Sequence, residues 1–149
     1  MDSDKNTAGD LATALCQEAS YLESRLTNFS LYLLLKNANP AQQNLALYEN
    51  VAGNFQRIIE QARRLMDWSI GCSEIGMEEF SDSEFQSAWL LVRDLEDSHS
   101  SLASAFYEAK DTSNVFENTS ENACEQYFIN ISDSLTRLTY MFQSSKVAR

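Results

Sequence analysis

Apolar residues recur at alternating steps of three and four positions in four separate runs of this chain. Because an α-helix has about 3.6 residues per turn, that spacing places the residues of each run on one helical face. Between Asp10 and Arg149 the chain has one proline and three glycines, so few residues interrupt the runs. The pattern predicts an all-α protein with four long helices.

The predicted helices cover approximately residues 10–37, 40–70, 82–110 and 120–143. Helices joined by short links are most simply antiparallel neighbours that pack at about +20°. We therefore expect an antiparallel four-helix bundle of up-and-down topology, formed by residues 1–149 as a single domain. Stacked helical pairs are the alternative architecture, but the chain shows no repeat with the period of about 34 residues that such arrays have.

Each helix is expected to bury one apolar stripe in the core. The predicted core positions of the first helix are Leu15, Ala19, Leu22, Leu26, Phe29 and Leu33. Those of the second are Leu45, Tyr48, Ala52, Phe55, Ile59, Ala62 and Met66, with Gly71 as its end. Those of the third are Phe85, Ala88, Val92, Leu95, His99, Leu102, Phe106 and Ala109. Those of the fourth are Cys124, Tyr127, Ile131, Leu135, Leu138 and Phe142.

The third helix has the clearest start signal. Ser81 and Glu84 have the spacing of a capping box, in which each residue satisfies a backbone amide of the other. Phe80 and Phe85 flank this box at the positions of a hydrophobic staple. Residues 71–79, with two glycines, are expected to form the longest irregular connection.

The negative charge is concentrated in one part of the chain. The net charge is −11, and residues 71–119 carry eleven acidic and two basic residues, a net −9. Such a segment is either a solvated face or a docking surface for a basic partner. The residues predicted to steer that partner are Glu78, Glu79, Asp82, Glu84 and Asp94. Direct binding of nucleic acid is disfavoured, because too few cations are available to contact phosphates.

The composition places the chain among soluble intracellular proteins. Its N-terminus is polar and acidic, which is unlike a secretory signal or a transit peptide. Cys16, Cys72 and Cys124 are odd in number and too far apart for a metal-binding knuckle. No apolar run approaches the length of about 18 residues that a membrane span needs. We expect a cytoplasmic or nuclear protein without contact to a membrane.

His99, the chain's single histidine, occupies a core position of helix 3. The simplest interpretation is a core imidazole with one hydrogen-bond partner. Glu96 and His99 also have the Glu-x-x-His spacing of a di-iron site. A complete site requires a second histidine, which the chain lacks, so we predict neither a metal nor another cofactor.

Helix 3 contains the segment Arg93-Asp94-Leu95-Glu96-Asp97-Ser98-His99. It resembles the arginine, polar residue, spacer, histidine motif of HEPN-domain ribonucleases, which are small all-helical bundles. The resemblance implies a dimer that cleaves RNA without metal, with Arg93 and His99 acting on the 2′-hydroxyl and the phosphate. The neighbouring carboxylates are expected to repel RNA and to keep His99 protonated, which is the wrong state for a general base.

Two helices have more apolar surface than one core stripe requires. On helix 1 this surplus includes Leu31, Tyr32 and Leu35, and on helix 3 it includes Trp89 and Leu90. Such side chains are covered within the monomer, by a second copy in a homodimer, or by another protein.

The sequence therefore predicts a non-catalytic protein-interaction module, such as an adaptor, a complex subunit or an inhibitor. An apolar patch on helices 1 and 3 would anchor the partner, and the acidic surface beside it would steer a basic protein. One alternative is the HEPN-like ribonuclease that uses Arg93 and His99. The other is an acidic mimic of nucleic acid that inhibits a DNA- or RNA-binding protein.

Overall fold

The computed structural model describes residues 8–39, 42–75 and 81–148. The chain is about 90% helical and has no strand in this described part. Its elements are α1 (Ala8–Lys36), a short 3-10 turn (Gln42–Asn44), α2 (Leu45–Ile75), α3 (Asp82–Thr112) and α4 (Glu121–Ala148). Within the described residues, no helix is long and apolar enough to cross a membrane. The predicted all-α four-helix bundle is confirmed.

The helices form a ring in which α1 packs on α2 and α4, and α3 packs on the same two helices. α1 and α4 are antiparallel, because Glu18 near the start of α1 pairs with Arg137 late in α4. At the other end, Asn37 after α1 contacts Thr119 before α4. Similar contacts make two further pairs antiparallel: Glu23–Arg63 and Leu34–Tyr48 for α1 and α2, and Phe85–Phe142 and Lys110–Glu121 for α3 and α4.

The predicted core stripes of α1, α3 and α4 are confirmed. Every predicted core position on α1 and α4 is buried, and on α3 only His99 is partly exposed. Rings from all four helices meet in the centre of the core. They belong to Phe29, Phe55, Phe106, Tyr127 and Phe128. The apolar period of a helix therefore identifies its inward face where a single stripe is present.

The predicted core face of α2 is wrong by about one position. Leu45 is exposed, and Ile59 and Met66 are only partly buried. The side chains that enter the core are Val51, Phe55, Ile58, Ala62, Leu65 and Cys72, with Ser69 buried among them. α2 carries two adjacent apolar columns, so the positions of α1 and α3 decide which column is covered.

Two helix ends also differ from the prediction. α2 continues past Gly71 to Ile75, and α4 continues beyond residue 143 to Ala148. The start of α3 is as predicted: the Glu84 amide donates to Ser81 Oγ at 3.1 Å, and the Ser81 amide donates to Glu84 Oε1 at 2.9 Å. Phe80, the other half of the predicted staple, lies outside the described residues.

The connection between α3 and α4 closes one end of the bundle. Val115 and Phe116 are buried there, and the Phe116 ring stacks on Phe106 at 5.6 Å. The Asn37 side chain donates to Leu33 O at 2.7 Å and to Thr119 Oγ1 at 3.0 Å. These contacts fix the end of α1 against the start of α4.

Candidate protein-binding surface

The outer face of α3, defined here by Leu90, Asp94 and Asp97, is exposed to solvent. Leu90 is 52% exposed, and both carboxylates are exposed. Residues three or four positions apart are neighbours on a helix, so these side chains form one short row. The ion pairs of the described residues use Glu18, Glu23 and Glu121, and none uses Asp94 or Asp97. The surface is therefore an apolar side chain beside two carboxylates without a paired cation.

Trp89 lies next to this face but belongs partly to the core. Its ring is 5.8 Å from the Phe142 ring, and the Arg93 guanidinium lies 5.9 Å from the centre of the Trp89 ring. Partial burial leaves Trp89 less free to anchor a partner than Leu90. Of these two side chains, Leu90 is therefore the more exposed.

The remaining predicted acidic residues are Glu78, Glu79, Asp82 and Glu84, which precede or begin α3 in the sequence. Glu84 is partly buried and uses a carboxylate oxygen in the capping box. Asp82 is the first residue of α3. Glu78 and Glu79 lie outside the described residues. Of the predicted acidic residues whose exposure is described, Asp94 is the one that lies exposed in the same row as Leu90.

The predicted α1 residues lie on a different surface. Leu31 is 53% and Leu35 71% exposed, while Tyr32 is partly buried with its ring 5.8 Å from Phe29. α1 and α3 are not packing neighbours. Leu35 is also near the end of the bundle opposite to Leu90, about 25 Å along the axis at 1.5 Å per residue. The single apolar patch predicted on helices 1 and 3 is therefore two separate surfaces.

His99 faces α4 and is largely shielded from water. Its ring is 5.8 Å from the Phe128 ring, and its Nε2 is buried without a hydrogen-bond partner among the described residues. Burial lowers the pKa of His99. The expectation that nearby carboxylates keep it protonated is wrong, because Asp94 and Asp97 are directed to solvent and desolvation of the imidazole dominates.

The structure does not bring Arg93 and His99 to one face. Six residues on a helix correspond to a rotation that leaves two side chains about 120° apart. Arg93 is exposed above Trp89, whereas His99 is directed inward. Among the described residues, no three His, Cys, Asp or Glu side chains are grouped closely enough to hold a metal ion.

The three cysteines are free thiols. Cys72 and Cys124 are buried, and Cys16 is partly buried. Burial raises the pKa of Cys124 to about 11, with a smaller opposing effect of Lys110. A thiol with so high a pKa is a poor nucleophile at neutral pH.

Sequence reasoning missed a groove between α1 and α4. Tyr21, Arg25, Asn28 and Tyr32 line its α1 side. These residues follow each other at steps of four, three and four, so the helical period placed them on one face beside the core stripe. Whether they face a groove depends on how α4 packs against α1, and the residue spacing within α1 gives no information about that packing.

Among the predicted partner-binding residues whose exposure is described, Leu90 and Asp94 on α3 and Leu31 and Leu35 on α1 are thus the exposed ones. Their roles have to be inferred from this geometry. No family model, no curated protein and no solved structure matches the chain.

Proposed function

We propose that this chain is a non-catalytic protein-interaction module whose outer α3 face docks a partner with a basic surface. The observation that carries the proposal is the exposure of Leu90 beside Asp94 and Asp97, two carboxylates without a paired cation in the described structure. A leucine flanked by unpaired charge is a suitable centre for an interface with a charged rim.

The charge of α3 supports a basic partner over a neutral one. The helix contains seven acidic and two basic residues. Its lysine, Lys110, is engaged by Glu121 of α4 at 2.6 Å, and Arg93 lies over the Trp89 ring. A basic partner would relieve the repulsion among the remaining carboxylates.

Docking would follow two physical steps. The acidic face attracts the basic partner over a distance of about 8 Å at physiological salt, which raises the rate of association. Burial of Leu90 in a pocket of the partner then slows dissociation, because apolar area is removed from water. Asp94 and Asp97 set the register of the complex.

The test begins with affinity purification from the native cell at moderate salt, followed by binding measurements with the purified partner. Leu90→Glu is expected to weaken the complex at least about tenfold. Ile129→Glu is the matched control, because Ile129 of α4 is also 52% exposed. The control is expected to change the affinity less than about twofold, as usual for a residue outside an interface.

Salt dependence and the second apolar surface complete this test. The association rate is expected to fall as ionic strength rises, since steering is screened by salt. A rate that ignored salt would remove the role of the carboxylates. If Leu31→Glu rather than Leu90→Glu abolished binding, the docking surface would be on α1, and light scattering would show whether the occupant is a second copy of this chain.

The two alternative functions give different results. If the chain is a ribonuclease, it cleaves RNA in the presence of a chelator and the His99→Ala variant does not. We expect equal inactivity of both proteins. If the basic partner is a protein that normally grips nucleic acid, DNA or RNA competes with this chain for it, which would make the acidic face a nucleic-acid mimic.

A further inference from the structure

A groove of about 570 Å³ lies between α1 and α4, and its described lining residues all belong to these two helices. A second cavity of about 300 Å³ continues it along the same two helices, and Tyr21 lines both. The larger volume is within the range of about 300–1,000 Å³ that small-molecule sites occupy, and grooves between bundle helices are common places for them.

The larger cavity has a charge opposite to that of the protein. Among the described residues, Arg25 is the one charged residue that lines it and no carboxylate does, although the chain has a net charge of −11. The ion pairs of the described residues use Arg63, Lys110 and Arg137, and none uses Arg25. The cavity therefore presents a guanidinium without a paired carboxylate.

The Arg25 side chain is held in place without such a pair. Its guanidinium carbon lies 4.2 Å from the centre of the Tyr21 ring, which is a cation–π contact. Its Nε is buried and has no hydrogen-bond partner among the described residues. A neighbouring cation, Arg137, is neutralised by Glu18, to which its Nε donates at 2.8 Å. The Arg25 side chain is thus held in one orientation, and its charge is not paired with a carboxylate of the described residues.

The rest of the larger cavity is aromatic and uncharged. Four of its ten lining side chains are aromatic: Tyr21, Phe29, Tyr32 and Tyr127. Three others are amides. Tyr127 stacks on Phe29 with ring centres 3.8 Å apart, and its buried hydroxyl has no partner among the described residues. Burial raises the pKa of Tyr127, so this hydroxyl remains a donor at neutral pH.

We infer that the α1–α4 groove is a binding site for a small aromatic carboxylate. The carboxylate would lie on Arg25, whose planar fork of donors matches it, and the ring would extend along the groove over Phe29, one helical turn away. A carboxylate would supply the anion that Arg25 lacks, and an aromatic ring would cover apolar edges that face water. This site is independent of the proposed docking face of α3.

The inference can be tested with the purified full chain by amide NMR titration. The probes are benzoate and indole-3-acetate, each paired with its uncharged amide, benzamide and indole-3-acetamide. Saturable shifts are expected on α1 and α4 around Arg25, and each carboxylate is expected to bind at least about tenfold more tightly than its amide. Equal affinity of acid and amide would overturn the inference. The absence of saturable shifts up to a probe concentration of about 10 mM would also overturn it.

Variants locate the effect. Arg25→Gln is expected to weaken carboxylate binding about tenfold and to remove the preference over the amide. Arg25→Lys keeps the charge and is expected to retain part of that preference. Arg64→Gln is the control, because Arg64 is an exposed arginine of α2. Unchanged binding in Arg25→Gln, or an equal loss in Arg64→Gln, would contradict the assignment, and thermal unfolding of each variant shows that it is folded.

Discussion

The outer face of α3 and the groove between α1 and α4 differ in charge, in shape and in what lies beneath them. The α3 face projects an exposed leucine and two carboxylates without a paired cation into water. The larger cavity of the groove is concave, has core aromatic rings as its floor, and is lined among the described residues by one arginine and no acid. The net charge of a protein therefore does not give the charge of each of its surfaces, and the two regions suit different ligands.

The largest expected effect comes from the groove floor. Phe29→Ala should lower the free energy of unfolding by about 3–5 kcal/mol, because it leaves a cavity where Phe29 stacks on Tyr127 and approaches Phe55. Leu90→Ala on the α3 face should change it by less than about 0.5 kcal/mol. Chemical denaturation of both variants measures the difference. If both variants lost a similar free energy of unfolding, the contrast between a core residue at Phe29 and a free surface residue at Leu90 would be wrong.

A smaller effect is expected at the far end of the groove, where Glu18 accepts hydrogen bonds from Ser134 and Arg137. Burial raises the pKa of Glu18, but these hydrogen bonds and the Arg137 charge outweigh it, so the net shift is downward. A lowered carboxyl pKa stabilises the fold above the ordinary value near 4.5 and less as the pH falls through the folded-state value.

Glu18→Gln should therefore cost about 1–2 kcal/mol at pH 7, discounted because Arg137 is half exposed. The cost should shrink as the pH falls below the carboxylate range. Urea denaturation at pH 7 and pH 3 checks both statements. Equal costs at the two pH values would show that the loss is one of packing rather than of charge.

The next prediction concerns His99, which lies on the inner side of α3, opposite to its acidic face. Burial lowers the pKa of His99, so the unfolded chain takes up a proton at a higher pH than the folded one. The free energy of unfolding should have its full value above about pH 6.5 and should decrease as the pH falls below it. The slope should correspond to no more than one extra proton bound by the unfolded chain. His99→Gln should flatten this part of the stability profile. If the free energy of unfolding of the wild type instead rose as the pH was lowered from about 7.5 to about 5.5, the folded state would favour the charged form of the imidazole.

The smallest expected effect is on the α3 face itself. Asp94 and Asp97 are like charges three residues apart, which destabilise a helix by about 0.2–0.5 kcal/mol. Asp97→Asn should therefore raise the melting temperature slightly at low salt, and the gain should vanish at high salt. A melting temperature that fell at low salt would indicate that Asp97 has a stabilising partner.

Much of the fold could be predicted because the relevant signals are local. One apolar stripe each on α1, α3 and α4 fixed their inward faces, and Ser81 with Glu84 fixed the start of α3. α2 was different because Ile58 and Ile59, like Leu65 and Met66, offer two adjacent apolar columns. Because α2 packs between α1 and α3, the column with Ile58 and Leu65 is buried. The residue spacing within α2 does not show which of the two columns that will be.

The candidate sites depended even more on how the helices pack. The exposure of Leu31, Leu35 and Leu90 was expected, but their separation on non-adjacent helices was not. For His99 the charges nearby in sequence suggested protonation, whereas the surrounding core sets the direction of the pKa shift. Arg25 drew no attention as one of several basic residues until α4 placed a groove beside it.

The side chain of Asn37 joins two positions that are 82 residues apart, since it donates to Thr119. Contacts between segments so far apart in sequence close long loops, so we expect this bond to form after the helices have met. An interaction that is absent from the transition state acts on the rate of unfolding and leaves the rate of folding nearly unchanged. Loss of the Asn37 side chain is therefore expected to shorten the lifetime of the native state more than it slows folding.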